Sequence, residues 1–228
     1  MDQRELLHLH IEAVWNVQLP HSLGDEVVLP STGLQPAWKL YIAELAENGS
    51  CLYIWRSEEE RAHGAALVEM AKRALAAPHD ATLPDHISRE VAFQQTATPV
   101  IALAHARQFV RLIAADETQL FEAFEPGSSA YYADPTRQPL CGVVHEGQLR
   151  SLAHSSRHTS AACELGIGTL PEARRQGYAL AATIAWTETV RQEGLVPIYS
   201  ALSENTVSLK LAHAAGYREF ARGVNIQA

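Results

Sequence analysis

The sequence predicts an α/β (α+β) fold, a mixed sheet with helices packed against it. Three observations carry this. Strand-like apolar runs recur in the second half, in "CGVVHEGQLRSLAH", "ELGIGTL" and "VPIYSAL". Helical segments, "ALAATIAWTETVR" and "ENTVSLKLAHAA", separate or follow them. Apolar residues make up 47% of the 228, enough to bury a sizeable core. Strands interleaved with helices in this way form layered sheet-and-helix structures.

Taken in order, "ELLHLHIEAVW" reads as a helix, with Leu6, Leu9, Ala13 and Val14 at helical spacing. Pro20, Pro30 and Pro36 divide the next stretch into loops and short extended pieces. "PAWKLYIAELAENG" reads as a helix, since Trp38, Tyr41, Ile42 and Leu45 share a helical face and Gly49 ends it. "CLYIW" reads as a short buried strand. Ser57 is a natural N-cap with Glu60 completing a capping box, and the helix after it runs to about Ala76. "APHDATLPDH" reads as a loop. "QFVRLIAAD" is a strand, "ETQLFEAFE" a helix, and Pro126 and Gly127 end it. A hairpin turns at Glu146 and Gly147. A strand over "SAACELGIGTL", a helix from Arg174 to Arg191, a strand over "VPIYSAL", a helix ended by Gly216 and a last strand over "YREFARGVNI" complete the chain.

The composition narrows the classes of function. A net charge of −8, from 26 acidic and 18 basic residues, argues against binding a phosphate backbone, so no nucleic-acid partner is expected. It suits a cationic substrate and equally suits ordinary solubility. No long apolar run and no signal-like start is present, so neither a membrane partner nor export is expected. Cys51, Cys141 and Cys163 are few and widely spaced, which fits reduced thiols in a cytoplasm.

The stretch from Leu165 to Leu180 reads as strand, turn and helix start. The first amides of a helix have no internal partners and lie at the positive end of its dipole. Gly177 opens the turn, and Arg174 and Arg175 add charge, so a diphosphate is a natural guest. A plain helix start with solvated arginines reads equally well from this turn alone. The P-loop pattern is missing its Lys-Ser/Thr end. "GIGTLP" starts like a dinucleotide fingerprint, but it ends in Pro171 and its glycines lie inside the strand.

"RRQGYA", Arg174 to Ala179, resembles the acetyl-CoA loop of the GNAT N-acetyltransferase superfamily, and "GTLPEARRQGYAL" is similar to its antibiotic-resistance-like branch. "SENTVSLKLAHAAGYREF" resembles the family's Asn-x-x-Ser segment, with Asn205, Ser208, Gly216 and Tyr217 in register. The resemblance covers about 107–228. It implies a GNAT domain over 105–228, with the sheet splayed between Ala162–Leu170 and Pro197–Leu202 to admit acetyl-CoA. It implies pantetheine pairing along Gly166, Ile167, Gly168 and Thr169. Diphosphate contacts would come from Arg174, Arg175, Gln176, Gly177, Tyr178 and Ala179, with Asn205 and Ser208 on a second side. The implied activity is N-acetyltransfer to the primary amine of a small molecule or peptide, with no metal, and a homodimer is compatible. The alternative is a non-catalytic acyl-CoA-binding module. Residues 1–104 carry no such resemblance. They form either a degenerate relative of the same fold or a lobe on the substrate side.

Acetyl transfer needs a neutral amine, so a base or water relay is useful, and the departing thiolate needs a proton. Glu164, at the start of the cofactor strand, is the first candidate base, and His154 on the hairpin is the second. Ala212 stands where many relatives carry a tyrosine acid. Tyr217 is a candidate replacement, as is Tyr199. "HSSRH" places His154 and His158 four apart but supplies no third ligand, so no metal is expected. Cys163 reads as a buried structural thiol whose pKa an adjacent acid raises. Ala179, Ala182, Trp186 and Val190 read as one packing face, and Val207, Leu211 and Ala215 as another.

Overall fold

The computed structural model describes residues 1–20, 24–31, 35–78 and 81–227. Its elements in chain order are α1 (Gln3–Trp15), β1 (Glu26–Val28), β2 (Trp38–Leu45), β3 (Cys51–Trp55), α2 (Glu58–Ala62), α3 (Ala65–Ala76) and β4 (Ile87–Gln95). Then come α4 (Leu103–Ala106), β5 (Val110–Leu112), α5 (Thr118–Phe124), α6 (Ser129–Ala133), β6 (Cys141–His145), β7 (Gln148–His158) and β8 (Ala162–Thr169). The chain closes with α7 (Tyr178–Gln192), β9 (Val196–Leu202), α8 (Thr206–Ala214) and β10 (Tyr217–Gln227). Parts of two segments read as loops, His21–Leu23 and Thr32–Leu34 in one and His79 and Asp80 in the other, lie outside the described residues. The chain forms two compact units. One comprises Met1–Gln94, Ser200–Leu209 and Glu219–Ala228, the other Gln95–Tyr199 and Lys210–Arg218. Each is a sheet with helices against it, and the α/β class read from the sequence holds.

In the first unit the strands run in the order β1, β3, β2, β10, β4. The segment expected to be a helix at Trp38–Leu45 is the strand β2, antiparallel to both β3 and β10. The reason is burial on both faces. Trp38 and Tyr41 meet the Trp15 ring of α1, each at 6.0 Å. Leu40 and Ile42 pack with Trp55, Ala71 and Ala74. A strand covered on both sides loses its alternating pattern and can mimic helical spacing. The helix expected from Ser57 to Ala76 is broken at Gly64. There the Trp55 ring packs so tightly that an added Cβ would lie 2.0 Å from it. Ser57 caps α2 as read, accepting from Glu60 N–H. At the centre of the unit, Tyr41 donates to buried Glu90 at 2.6 Å, and His10 meets the same oxygen at 3.1 Å.

In the second unit β5, β6, β7 and β8 are antiparallel neighbours, and β9 joins β8 in parallel. Both faces of β7 are covered. Leu152 packs in a cluster with Phe121 and Tyr132 of α5 and α6. Ser155, on the other face, accepts from the Trp186 indole of α7 at 3.3 Å. Ala182, Trp186 and Val190 are fully buried, as their spacing implies, while Ala179 in the first turn is only half-buried. On α8 the buried position is Ala212, Leu211 is half-buried, and Ala215 just past the helix end is buried. Val207 is 78% exposed and does not pack. It lies five residues from Ala212, about 140° around the helix. Gly216 ends α8 with φ +84°, and a Cβ there would meet the Ala97 carbonyl oxygen at 2.2 Å, so both backbone shape and space demand glycine.

Candidate functional site

The parallel pairing of β8 with β9 is short. It joins Ala162, Cys163 and Glu164 to Val196, Pro197 and Ile198. From Leu165 to Thr169, β8 continues its ladder with β7 alone among the described strand pairings. Its other backbone edge over this stretch has no strand partner there, and backbone donors and acceptors in that state are available to a ligand.

A 3₁₀ turn at Pro171–Ala173 follows the strand. The helix expected from Arg174 begins instead at Tyr178. Arg175 and Gly177 adopt left-handed backbone, φ +64° and +81°, and end the turn before the helix can start. Arg174, Arg175, Gln176 and Gly177 are all exposed. Gly177 has no atom within 4 Å of its Cβ position, and no side chain caps the helix. The amides opening α7 therefore face open space at the positive end of a helix of 15 residues. Asn205 accepts from Ser208 N–H at 3.1 Å and so caps α8.

Glu164 is 4% exposed. Its carboxylate accepts from Arg157 at 2.5 Å and from Ser156 at 3.3 Å. Both contacts fall on the same oxygen, Oε2. Tyr217 is fully buried, its hydroxyl 2.7 Å from Thr187 and its ring 5.4 Å from Tyr199. Burial raises its pKa well above the usual phenol range. Tyr217 and Tyr199, 2% exposed, both serve as core packing.

His154 has a different setting. Its ring lies over Gly166, and a Cβ on that glycine would meet the imidazole at 2.3 Å. Gly168 is covered in the same way by Phe124, at 3.1 Å. Tyr131 and Tyr132 present their edges to the imidazole at 5.5 and 5.2 Å. The Tyr131 hydroxyl is 3.1 Å from Nε2, while Nδ1 is buried with no hydrogen-bond partner. Burial, helped by the nearby Arg137 guanidinium, pulls the His154 pKa down to about 4. The ring is therefore neutral at physiological pH and keeps a lone pair. Together with Glu125, Gly127, Tyr131 and Tyr132, His154 lines a cavity of about 460 Å³. The sequence supplied His154 but not the tyrosines, which sit in a short helix with no recognisable motif.

That pKa has a consequence for stability. The folded state resists protonating His154, so between pH 6.5 and about 4 the unfolded chain binds more protons and stability falls with pH. At pH 4.5 the wild type should have lost about 2 kcal/mol more than His154→Gln, taking both from pH 7. Urea unfolding of both proteins at the two pH values measures this. Equal losses would mean that the ring is not held neutral.

Burial pushes the Cys141 thiol up to about 12 and the Cys163 thiol to about 11. For Cys163 the dominant cause is desolvation, not the adjacent Glu164. Among the described residues, no group of three or more His, Cys, Asp or Glu side chains is placed to hold a metal ion. No described helix is long and apolar enough to cross a membrane.

Residues 141–222 match the GNAT acetyltransferase family. No curated protein matches the chain. Among solved structures, a GNAT-family acetyltransferase from Colwellia psychrerythraea aligns with TM-score 0.52 and 15% identity, over 82% of this chain and 63% of that one. A GCN5-related N-acetyltransferase from Sphaerobacter thermophilus aligns with TM-score 0.50 and 13% identity, over 86% and 84%. A GCN5-related N-acetyltransferase-like protein from Streptococcus suis has 20% identity and TM-score 0.46, over 63% of this chain. The chain spans 64% of that protein's length. The segment from β6 into β10 thus matches the GNAT acetyltransferase family, and the chain shares its fold with structures of GNAT N-acetyltransferases.

Proposed function

We propose that the protein transfers the acetyl group of acetyl-CoA to a primary amine. The observation that carries this reading is the end of β8–β9 pairing at Glu164, with β8 running on to Thr169 and a turn leading from it to the open helix start at Gly177. One extended thioester can lie along the free edge of Gly166–Thr169 and place its diphosphate at Gly177–Ala179. Arg174 and Arg175 add positive charge at that turn. The acyl end then lies along the strand that His154 covers, and the cavity lined by Glu125, Tyr131 and His154 is the place for the acceptor. His154 offers an unprotonated Nε2 beside a hydroxyl that lines this cavity, whereas Glu164 Oε2 is taken up by Arg157 and Ser156, which favours His154 as the proton acceptor. The carbonyl oxygen that becomes negative in the transition state can be met by a free amide of β8.

The test is direct. CoA binding is measured by calorimetry, and thiol release from acetyl-CoA is followed against a panel of primary amines. Binding together with amine-dependent release is expected. Binding with no release across the panel would turn the reading into a non-catalytic acyl-CoA module, as Ala212 in the usual tyrosine position allows. No binding at all would overturn both.

A further inference from the structure

We infer that Tyr131 is the group that exchanges a proton with the reacting amine, with His154 behind it as the base. This rests on the acetyltransferase reading above. Three observations point to it. His154 Nδ1 is sealed from solvent, so the nitrogen able to exchange a proton is Nε2. The Tyr131 hydroxyl stands 3.1 Å from Nε2, and Tyr131 is 39% exposed and lines the cavity. The phenol is also held in place. The Arg137 guanidinium lies 4.2 Å over its ring and bonds to the Ser156 carbonyl. The Tyr132 ring meets it edge-on at 5.1 Å.

Among the described residues, Tyr131 and Tyr132 from α6, Arg137 from the turn after it, and Gly166 from β8 face His154. Tyr132 donates to Glu125 at 2.9 Å, and Glu164 is held by Arg157. The relay therefore runs through Tyr131. As the amine nitrogen bonds to the thioester carbon, its proton passes to the Tyr131 oxygen and the Tyr131 proton passes to Nε2. As the C–S bond breaks, its electron pair stays on sulfur. The same hydroxyl gives a proton to the thiolate, and Nε2 returns its proton to the tyrosine oxygen. The net change is one C–N bond formed, one C–S bond broken and one proton moved from nitrogen to sulfur. Tyr131 and His154 end as they began, and no separate acid is needed.

Tyr131→Phe keeps the ring beneath Arg137 and removes only the hydroxyl. Its kcat should fall about 100-fold or more, the lower range for losing acid–base catalysis, with CoA affinity unchanged. Adding His154→Gln should cost little more, because the two groups act as one unit. A kcat for Tyr131→Phe within a few-fold of wild type would overturn the relay alone. So would two losses that multiply in the double variant. If the double variant does not fold, Tyr131→Phe decides by itself. A wild type that binds CoA yet releases no thiol would overturn the acetyltransferase reading and the relay with it.

Discussion

Gly166→Ala should abolish most acetyl transfer and also weaken the fold. The new methyl group would sit 2.3 Å from His154 Cε1 and 2.5 Å from Nε2, well inside van der Waals contact. The imidazole must shift within the frame of the Tyr131 and Tyr132 rings, whose centres lie 5.5 and 5.2 Å from its own. Overpacking of this kind costs about 1–3 kcal/mol. The ring shift it forces also breaks the 3.1 Å contact between Nε2 and the Tyr131 hydroxyl. A reduction in kcat of about 100-fold is expected, the scale of a lost general base. Gly168→Ala is the control. Its methyl group would meet Phe124 at 3.1 Å, a milder crowding, and activity should stay within a few-fold. Steady-state kinetics and urea midpoints for both variants check this. Equal effects at the two glycines would mean that the imidazole's position does not matter.

Gly177→Asp should weaken CoA binding about 30-fold or more. Aspartate tolerates left-handed backbone better than most residues, so the φ of +81° is not by itself prohibitive. The site has open space for the side chain. What changes is charge. A carboxylate at a helix start competes with any anion bound there, and at surface dielectric a nearby like charge costs about 1–4 kcal/mol. Gly177→Asn separates the two effects, since it has the same shape and backbone tolerance but no charge. Calorimetric titration with CoA should rank the affinities wild type, then Asn, then Asp. Unchanged affinity in the aspartate variant would remove the diphosphate from this turn.

How far the sequence could be read depended on how each residue is surrounded. The hairpin, β8, β9 and α7 were legible because glycine turns at Gly147, Gly177 and Gly194 mark where the elements begin and end. β2 was not, because Trp38, Tyr41, Ile42 and Leu45 are all buried, with partners on both faces of the sheet. Gly64 looked like an ordinary helix residue, and only the Trp55 ring explains the break there. At the candidate site His154 was visible as a titratable residue on a strand. Tyr131 was invisible, since nothing in "GSSAYYADPTRQ" indicates that this segment folds over β7. The same local blindness set the start of α7 too early, because a left-handed Arg175 cannot be anticipated from residue type.

The two glycines of β8 leave one face of that strand without side chains of its own, and His154 and Phe124 supply what covers it. The division has an evolutionary reading. On the proposed reading, a strand that keeps its backbone available for acetyl-CoA gains by contributing nothing to the acceptor's surroundings. Those surroundings then belong to β7 and to the α5–α6 segment. On that reading, substitutions at Phe124 or Glu125 would change which amine is accepted and leave the donor's track intact. Descendants of such a chain could diverge in substrate while inheriting an unaltered cofactor strand.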